Sequence, residues 1–393
     1  MDIRLIRPEE FLRTEELFSL AFEIPMERRP DLKPDEALHW AAFDDDGEMM
    51  STLTVSDFNV NFDGHSCKMG GIGGVATLPQ YRRRGGIRGC FAAFLPELFR
   101  RGYDFSYLYP FSTCFYRQFG YENCVVKQNV RVDLSQLKRR EVAGSYRLAE
   151  LGRDLRAAVQ AVDQAWEATY NMAVRHDEGF YDGLLKLDPA VRQEFCYVWF
   201  RADGTPGAYA LCRTAGEADG RNIRCSKFVF SDAEGFQALL QLFRTQASDH
   251  RYVKFPMPDD GSLRYLLPEW SLGAAGWETA PAGMVRVIRV REVMEKAACL
   301  GSGEAVLQID DPWIEENNGC FRISFEDGKV LGVQKTDCAP DVKLTIPAFS
   351  ALIAGTCDFA DARKWMEGIE VLHENPALEQ LFHKKPLFIS DYF

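Results

Sequence analysis

Apolar and polar positions along this chain change period every ten to fifteen residues, which predicts alternating short strands and helices. Residues 3–7 read as a strand. Pro8, Glu9 and Glu10 then open a helix through about Phe22, with proline in its first turn and acidic residues at the positive end of its dipole. A charged loop from Pro25 to Pro34 follows. Strands are predicted over 37–43 and 49–62, split by the turn Asp44-Asp45-Asp46-Gly47, and over 67–77 after a second turn at Asp63-Gly64. Ile87, Cys90, Phe91, Phe94, Leu95 and Leu98 recur at helical spacing, but Pro96 within that run predicts a kink or an irregular turn. Residues 105–109 form a strand, 112–118 a short helix and 122–133 one or two strands.

The same order of strands and helices returns further on. A strand over 147–150 precedes an amphipathic helix over 155–170. Strands over 195–200, 208–213 and 223–230 are joined by the turns Asp203-Gly204 and Asp219-Gly220. A helix over 235–247 leads to a strand over 252–255. This is either a duplicated fold or a generic α+β domain. A third part has strands over 305–309, 319–325, 329–334 and 342–346, with helices over 347–354, 359–367 and 376–382. The expected class is α+β, with mixed sheets flanked by helices. The expected domains are 1–144, 145–284 and 285–393.

Composition narrows the function. With 393 residues, the chain has length for two or three cores. A hydrophobic content of 46% and a charged content of 26% suit a globular protein, and a net charge of −12 argues against non-specific nucleic-acid binding. The eleven cysteines lie singly, without Cys-x-x-Cys pairs, as free buried thiols do. No signal-peptide pattern opens the chain and no apolar run suits a membrane span, so the expected compartment is the cytoplasm, with neither a membrane nor a nucleic acid as partner. The six histidines form no ligand pair by spacing, and no metal is expected.

The chemistry concentrates in one stretch. The β-prone Val75-Ala76-Thr77 stops at a Pro79 turn, and Arg82-Arg83-Arg84-Gly85-Gly86-Ile87-Arg88 then opens a helical pattern. Glycines let backbone approach a ligand, a helix start offers unpaired N–H groups, and arginines add charge-assisted bonds, so the stretch can seat a pyrophosphate. Taken alone, an arginine-rich turn with glycines is often just a solvated loop. No Gly-Lys-Ser/Thr follows, which excludes a P-loop. The run Gly70-Gly71-Ile72-Gly73-Gly74 precedes the strand instead of following it, which excludes the dinucleotide fingerprint and reads as a flexible turn or bulge. A second motif, Phe115-Tyr116-Arg117-Gln118-Phe119-Gly120, lies one strand and one short helix downstream. Tyr116 there is either a proton donor or a packed aromatic.

Val75 through Gly120 resembles the acetyl-CoA core of the GNAT N-acetyltransferase superfamily, and the whole chain resembles its enhanced-intracellular-survival (Eis) branch. Arg82 and Gly85 match the superfamily's Arg/Gln-x-x-Gly-x-Gly/Ala pattern, whereas Ile87 stands where a small residue is usual. The third part fits through Val306–Asp310, Asn318–Phe321, Leu344–Ile346, Ile353–Gly355 and the terminal Ser390–Phe393.

The resemblance implies a catalytic acetyltransferase domain that binds acetyl-CoA, a second domain without cofactor and a C-terminal sterol-carrier-like domain. Val75, Ala76 and Thr77 would hold the pantetheine arm. Arg82, Arg83, Arg84, Gly85, Gly86 and Ile87 would hold the pyrophosphate, with Arg82 and Arg83 favoured because neighbours on a tight turn diverge. It further implies Tyr116 as general acid and the carboxylate of Phe393 as general base, the apolar Pro386–Ile389 suiting a docked tail; a C-terminus packed as an edge strand is the other reading. The acceptor would be a cationic amine, aminoglycoside- or polyamine-like, met by Phe22, Glu23, Trp40 and Tyr392, with Glu27, Asp31, Asp35 and Glu36 nearby. Homo-oligomers, including hexamers, are implied too. A different class stays open: a carrier that binds acyl-CoA or lipid without turnover.

Overall fold

The computed structural model describes the chain except for residues 29–36, 138, 151–153, 186–188, 218–219, 260–264, 266–274, 390 and 393. Two units divide it. The first comprises Met1–Cys124, Gly283–Lys385 and Tyr392–Phe393, and the second Val125–Ala282 and Pro386–Asp391.

The first unit begins with β1 (Asp2–Leu5), α1 (Phe11–Phe22), β2 (Leu38–Phe43), β3 (Met49–Phe62), β4 (His65–Thr77), α2 (Gly86–Arg100), β5 (Phe105–Leu108) and α3 (Thr113–Arg117). The strands order β1-β2-β3-β4-β5, antiparallel except for the parallel pair β4–β5. Alternation along β2 divides the core. Ala41 and Phe43 join Leu17 of α1 on one face, while Trp40 and Ala42 join Phe91, Phe94 and Leu95 of α2 on the other. The α2 residues Phe91, Phe94, Leu95 and Leu98 are all fully buried, each worth roughly 1.5–3 kcal/mol of apolar burial.

Helix α2 runs unbroken through Pro96, where the sequence predicts a kink. Proline removes the bond to the carbonyl of Ala92, and Ala92 is exposed, so water can serve that oxygen. The glycine run lies inside β4 and makes no turn. The register against β3 shifts between Thr52 and Thr54, so Gly73–Ala76 carries an extra residue, and Gly74 there adopts φ +57°. The bulge half of the expectation describes this; the turn half does not.

Strand β6 (Glu122–Asp133) leads into the second unit, which adds β7 (Ser145–Leu148), α4 (Arg156–Thr169), α5 (Glu178–Leu185), α6 (Pro189–Arg192), β8 (Glu194–Phe200), β9 (Pro206–Glu217), β10 (Gly220–Phe230), α7 (Ala233–Arg244) and β11 (Tyr252–Pro258). Its strands order β6-β11-β10-β9-β8-β7, with β10 and β11 parallel across helix α7. The sequence pattern misses α5 and α6; Gly179 and Gly183 dilute the helical signal of the first. The β10–α7–β11 crossover repeats β4–α2–β5 with one local difference. The N-terminus of α7 is closed by Asp232, whose carboxylate accepts from the N–H of Gly235 at 2.9 Å and from Arg201. A helix start already holding a carboxylate is a poor phosphate seat.

The chain returns to the first unit along β12 (Ala275–Val287), whose Met284–Val287 pair antiparallel with Leu108–Phe105 of β5. Then follow α8 (Val290–Lys296), β13 (Gly303–Asp310), β14 (Gly319–Glu326), β15 (Lys329–Lys335), β16 (Val342–Thr345), α9 (Ile346–Ala354), α10 (Phe359–Trp365), β17 (Ile369–Val371) and α11 (Ala377–Leu381). These strands form a sheet ordered β15-β14-β13-β16-β17. Arg286 and Asp311 are wholly buried beside it, where Arg286 Nη2 donates to both carboxylate oxygens at 2.8 Å and Asn317 donates to the same carboxylate.

Candidate active site

The site begins where two strands part. The parallel ladder of β4 and β5 runs from Met69↔Phe105 to Ile72↔Leu108 and stops, while β4 stays paired with β3 as far as Thr77. From Gly73 onward, one edge of β4 therefore faces a gap. The bulge at Gly73–Ala76 bends β4 at that point, as bulges do.

Helix α2 aims its N-terminus at the same place. Its first bond along the axis is Gly89 N–H to the Gly85 carbonyl at 2.9 Å, so the N–H groups of Gly86, Ile87 and Arg88 have no helical acceptor. The preceding turn needs two left-handed residues, Arg83 at φ +65° and Gly85 at φ +86°. At Gly86 the constraint is space: a Cβ would lie 2.5 Å from Ser51 Oγ. Bare backbone, open donors and basic side chains at one point fit an anionic phosphate group.

A cleft of about 720 Å³ opens over this turn, lined by Val75, Thr77, Arg82, Arg83, Gly85, Gly86 and Ile87 together with Phe22, Tyr81, Phe111, Phe115 and Gln118 among others. Two sequence candidates lie elsewhere. Ala76 points to the α1 side, into the cluster with Leu17 and Phe43, because strand side chains alternate. Arg84 turns back over the ring of Tyr81, 5.3 Å from its centroid, so the arginines of the turn diverge.

Tyr116 sits on α3, which Ser112 caps by accepting from the N–H of Phe115. It is 3% exposed, and its ring is boxed by Phe115 at 5.1 Å, Phe111 at 5.3 Å, Phe91 at 6.2 Å and Tyr121 at 6.4 Å. Burial, helped by Tyr121, pushes the phenol well above its ordinary pKa, so it stays protonated through neutral and alkaline pH.

The acceptor candidates separate. Phe22 is exposed, stacks on Phe18 at 4.5 Å and borders the cleft. Glu23 closes α1 at φ +56° with its side chain exposed. Trp40 differs from the expectation: strand alternation puts it in the core beneath α2, and it does not line the cleft. Tyr392 is 71% exposed and stacks on Tyr109, which itself meets Tyr107 edge-on. Phe393, Asp31, Asp35 and Glu36 lie outside the described residues. Sequence reasoning missed Tyr81, Tyr109 and Phe111. Phe111 carried a usable signal, being a large apolar residue after Pro110 in a loop and 73% exposed in the structure.

The second unit gathers groups that spacing left apart. Asp163 and Glu167, one turn apart on α4, meet His176, and their ligand atoms lie within 4.8 Å of one another. No helix among the described residues is long and apolar enough to cross a membrane.

Comparison with known proteins agrees with this geometry. Acetyltransferase (GNAT) domain families match residues 2–124 and 172–287, and a sterol carrier protein domain family matches residues 290–390. No curated protein sequence matches the chain. Among solved structures, a GCN5-related N-acetyltransferase from Anabaena variabilis is 18% identical with a TM-score of 0.86, covering 100% of both chains. Eis1 from Mycobacterium abscessus is 18% identical with a TM-score of 0.81, again over 100% of both chains. A GCN5-related N-acetyltransferase from Kribbella flavida is 22% identical with a TM-score of 0.81, over 100% of this chain and 98% of its own. Domains of the GNAT family use acetyl-CoA and take amine substrates. The chain thus carries two GNAT acetyltransferase domains followed by a sterol carrier protein domain, in a fold like that of Eis1.

Proposed function

We propose that the protein transfers an acetyl group from acetyl-CoA to an amine of a cationic small molecule, aminoglycoside- or polyamine-like. The observation that carries this reading is the coincidence of the β4–β5 parting with the open start of α2 in one cleft. In this reading Val75 and Thr77 hold the pantetheine arm by backbone bonds along the free edge of β4. The N–H groups of Gly86, Ile87 and Arg88, with Arg82 and Arg83, take the pyrophosphate.

Transfer requires a neutral amine to attack the thioester carbonyl, and the C–S bond to break as the tetrahedral oxyanion collapses. Tyr116 gives its proton to the departing thiolate. The carboxylate of Phe393 accepts the proton of the attacking amine. Glu23 and the rings of Phe22 and Tyr392 receive the cationic acceptor.

The test uses protein with an untagged C-terminus, acetyl-CoA and a panel of aminoglycosides, polyamines and peptides, read by mass spectrometry. An acetyl mass increment on a cationic amine supports the reading and names the substrate class. Binding of acetyl-CoA with no acceptor modified removes the acceptor assignment. No binding removes the cleft assignment and leaves a lipid or acyl-CoA carrier as the better account.

A further inference from the structure

The second unit carries an ionic cluster that the transfer chemistry does not use. At its centre Asp391 Oδ1 meets His176 Nε2 and Lys227 Nζ, each at 2.8 Å. The other imidazole nitrogen lies 3.2 Å from Glu167 Oε1 and 3.8 Å from Asp163 Oδ2. Asp163 Oδ1 accepts from the hydroxyl of Tyr209 at 2.7 Å, and the ring of Phe180 stacks on His176 at 3.7 Å. Asp163 Oδ2 is buried with no hydrogen-bond partner among the described residues, and the adjoining cavity of about 20 Å³ has room for one water.

The carboxylates and the imidazole could suggest a metal centre. The ligand atoms that converge there belong to Asp163, Glu167 and His176, whereas Asp391 stands on the far side of the imidazole, held by His176 Nε2 and the Lys227 ammonium. What the cluster grips is the end of the chain. The segment Pro386–Asp391 belongs to this unit and is fastened at three successive points. Asn171 N–H donates to the Pro386 carbonyl at 2.8 Å, and Phe388 N–H donates to the Asn171 carbonyl at 3.1 Å. Phe388 is buried edge-on against Trp166 and Tyr170, at 5.7 and 6.0 Å. Asp391 closes the series.

We infer that the second GNAT domain works as a latch for the C-terminal tail, with Asp391 as a positioning residue clamped between His176 and Lys227. Asp391 is the last residue of the segment fastened to this unit, and Tyr392 follows it directly in sequence. The fastening itself stands on the contacts above; its effect on turnover rests on the reading of Phe393 as base.

The experiment treats the full-length, untagged enzyme with a carboxypeptidase and follows loss of Phe393 and Tyr392 by intact mass, beside steady-state kinetics. Asp391→Asn and Lys227→Met are compared with the parent, and retained acetyl-CoA binding reports that the first unit is folded. Both variants are expected to lose the terminal residues at least tenfold faster, with kcat down about tenfold and the KM for acetyl-CoA unchanged. Asp391→Glu is expected to recover part of both. Trimming as slow in both variants as in the parent overturns the latch. Faster trimming with unchanged kcat supports the latch and removes Phe393 from the chemistry instead.

Discussion

The ring of Tyr392 stacks on that of Tyr109 with centroids 4.3 Å apart and planes 18° from parallel. An offset aromatic pair of this kind is worth about 0.5–1.5 kcal/mol beyond its buried area. Tyr109→Ala should therefore lower kcat by up to about tenfold while leaving acetyl-CoA affinity unchanged, and Tyr109→Phe should keep most of the rate. Parallel steady-state assays and calorimetric titration with acetyl-CoA check this. An equal loss in the Phe variant would show that the hydroxyl, and not the stack, matters.

Tyr116→Phe removes one oxygen from a packed ring and should cost about 10² in kcat or more, with the Kd for acetyl-CoA nearly unchanged. Because burial raises the phenol's pKa, the acid form persists through alkaline pH, and no alkaline fall in rate below about pH 10 should trace to it. A variant as fast as the parent removes Tyr116 from the reaction.

Gly86→Ala places a methyl 2.5 Å from Ser51 Oγ, which is itself held 2.9 Å from Thr77 Oγ1. Either that hydrogen bond breaks or the start of α2 moves away from the cleft. Acetyl-CoA binding should weaken by about tenfold or more. Adding Ser51→Ala leaves a nearest approach of 3.1 Å to the Ser51 Cβ and should recover part of the loss. A double variant no better than the single would place the defect elsewhere.

Much of the fold was legible. Strand and helix positions in the GNAT-like parts follow hydrophobic period and turn residues, and the tight turn before α2 follows from its glycines. What was hidden depended on pairing. The parting of β4 from β5 is a register fact, invisible in either strand alone. The faces taken by Ala76 and Trp40 are hidden too, because the side a strand residue presents is set by its partners. Asp163, Glu167, His176, Lys227 and Asp391 are scattered over more than two hundred positions, and only the folded second unit brings them together.

That cluster gives a pH signature. Burial alone would lower the pKa of His176, but its hydrogen bonds with Asp391 and Glu167 prevail and raise it to about 9. Asp163, Glu167, Asp391 and Lys227 are the charged groups around it, with Tyr209 and Tyr181 beside them. A proton held more tightly when folded stabilises fully below the unfolded pKa of about 6.5, and the gain is lost as pH rises through about 9. Its size is on the order of 3 kcal/mol. Thermal midpoints at pH 6, 8 and 10 should fall more steeply for the parent than for His176→Gln. Parallel curves would refute the ionic role of the ring.

In the first unit, Asp311→Ala strands the guanidinium of Arg286 in a dry site and should destabilise that unit by about 3–5 kcal/mol. Denaturant titration followed by Trp313 fluorescence measures it. Pairing Asp311→Asn with Arg286→Met should recover stability, since a neutral pair needs no counter-charge.

The parting of β4 and β5 also leaves a sheet with an open seam in its interior. Backbone donors and acceptors from Gly73 to Thr77 form an edge of the kind that other proteins shield with bulges, charges or covering loops. Any extended, amide-bearing molecule that lies in the seam acts as a missing strand. A molecule held that way is gripped along its backbone-like stem and not at its tip.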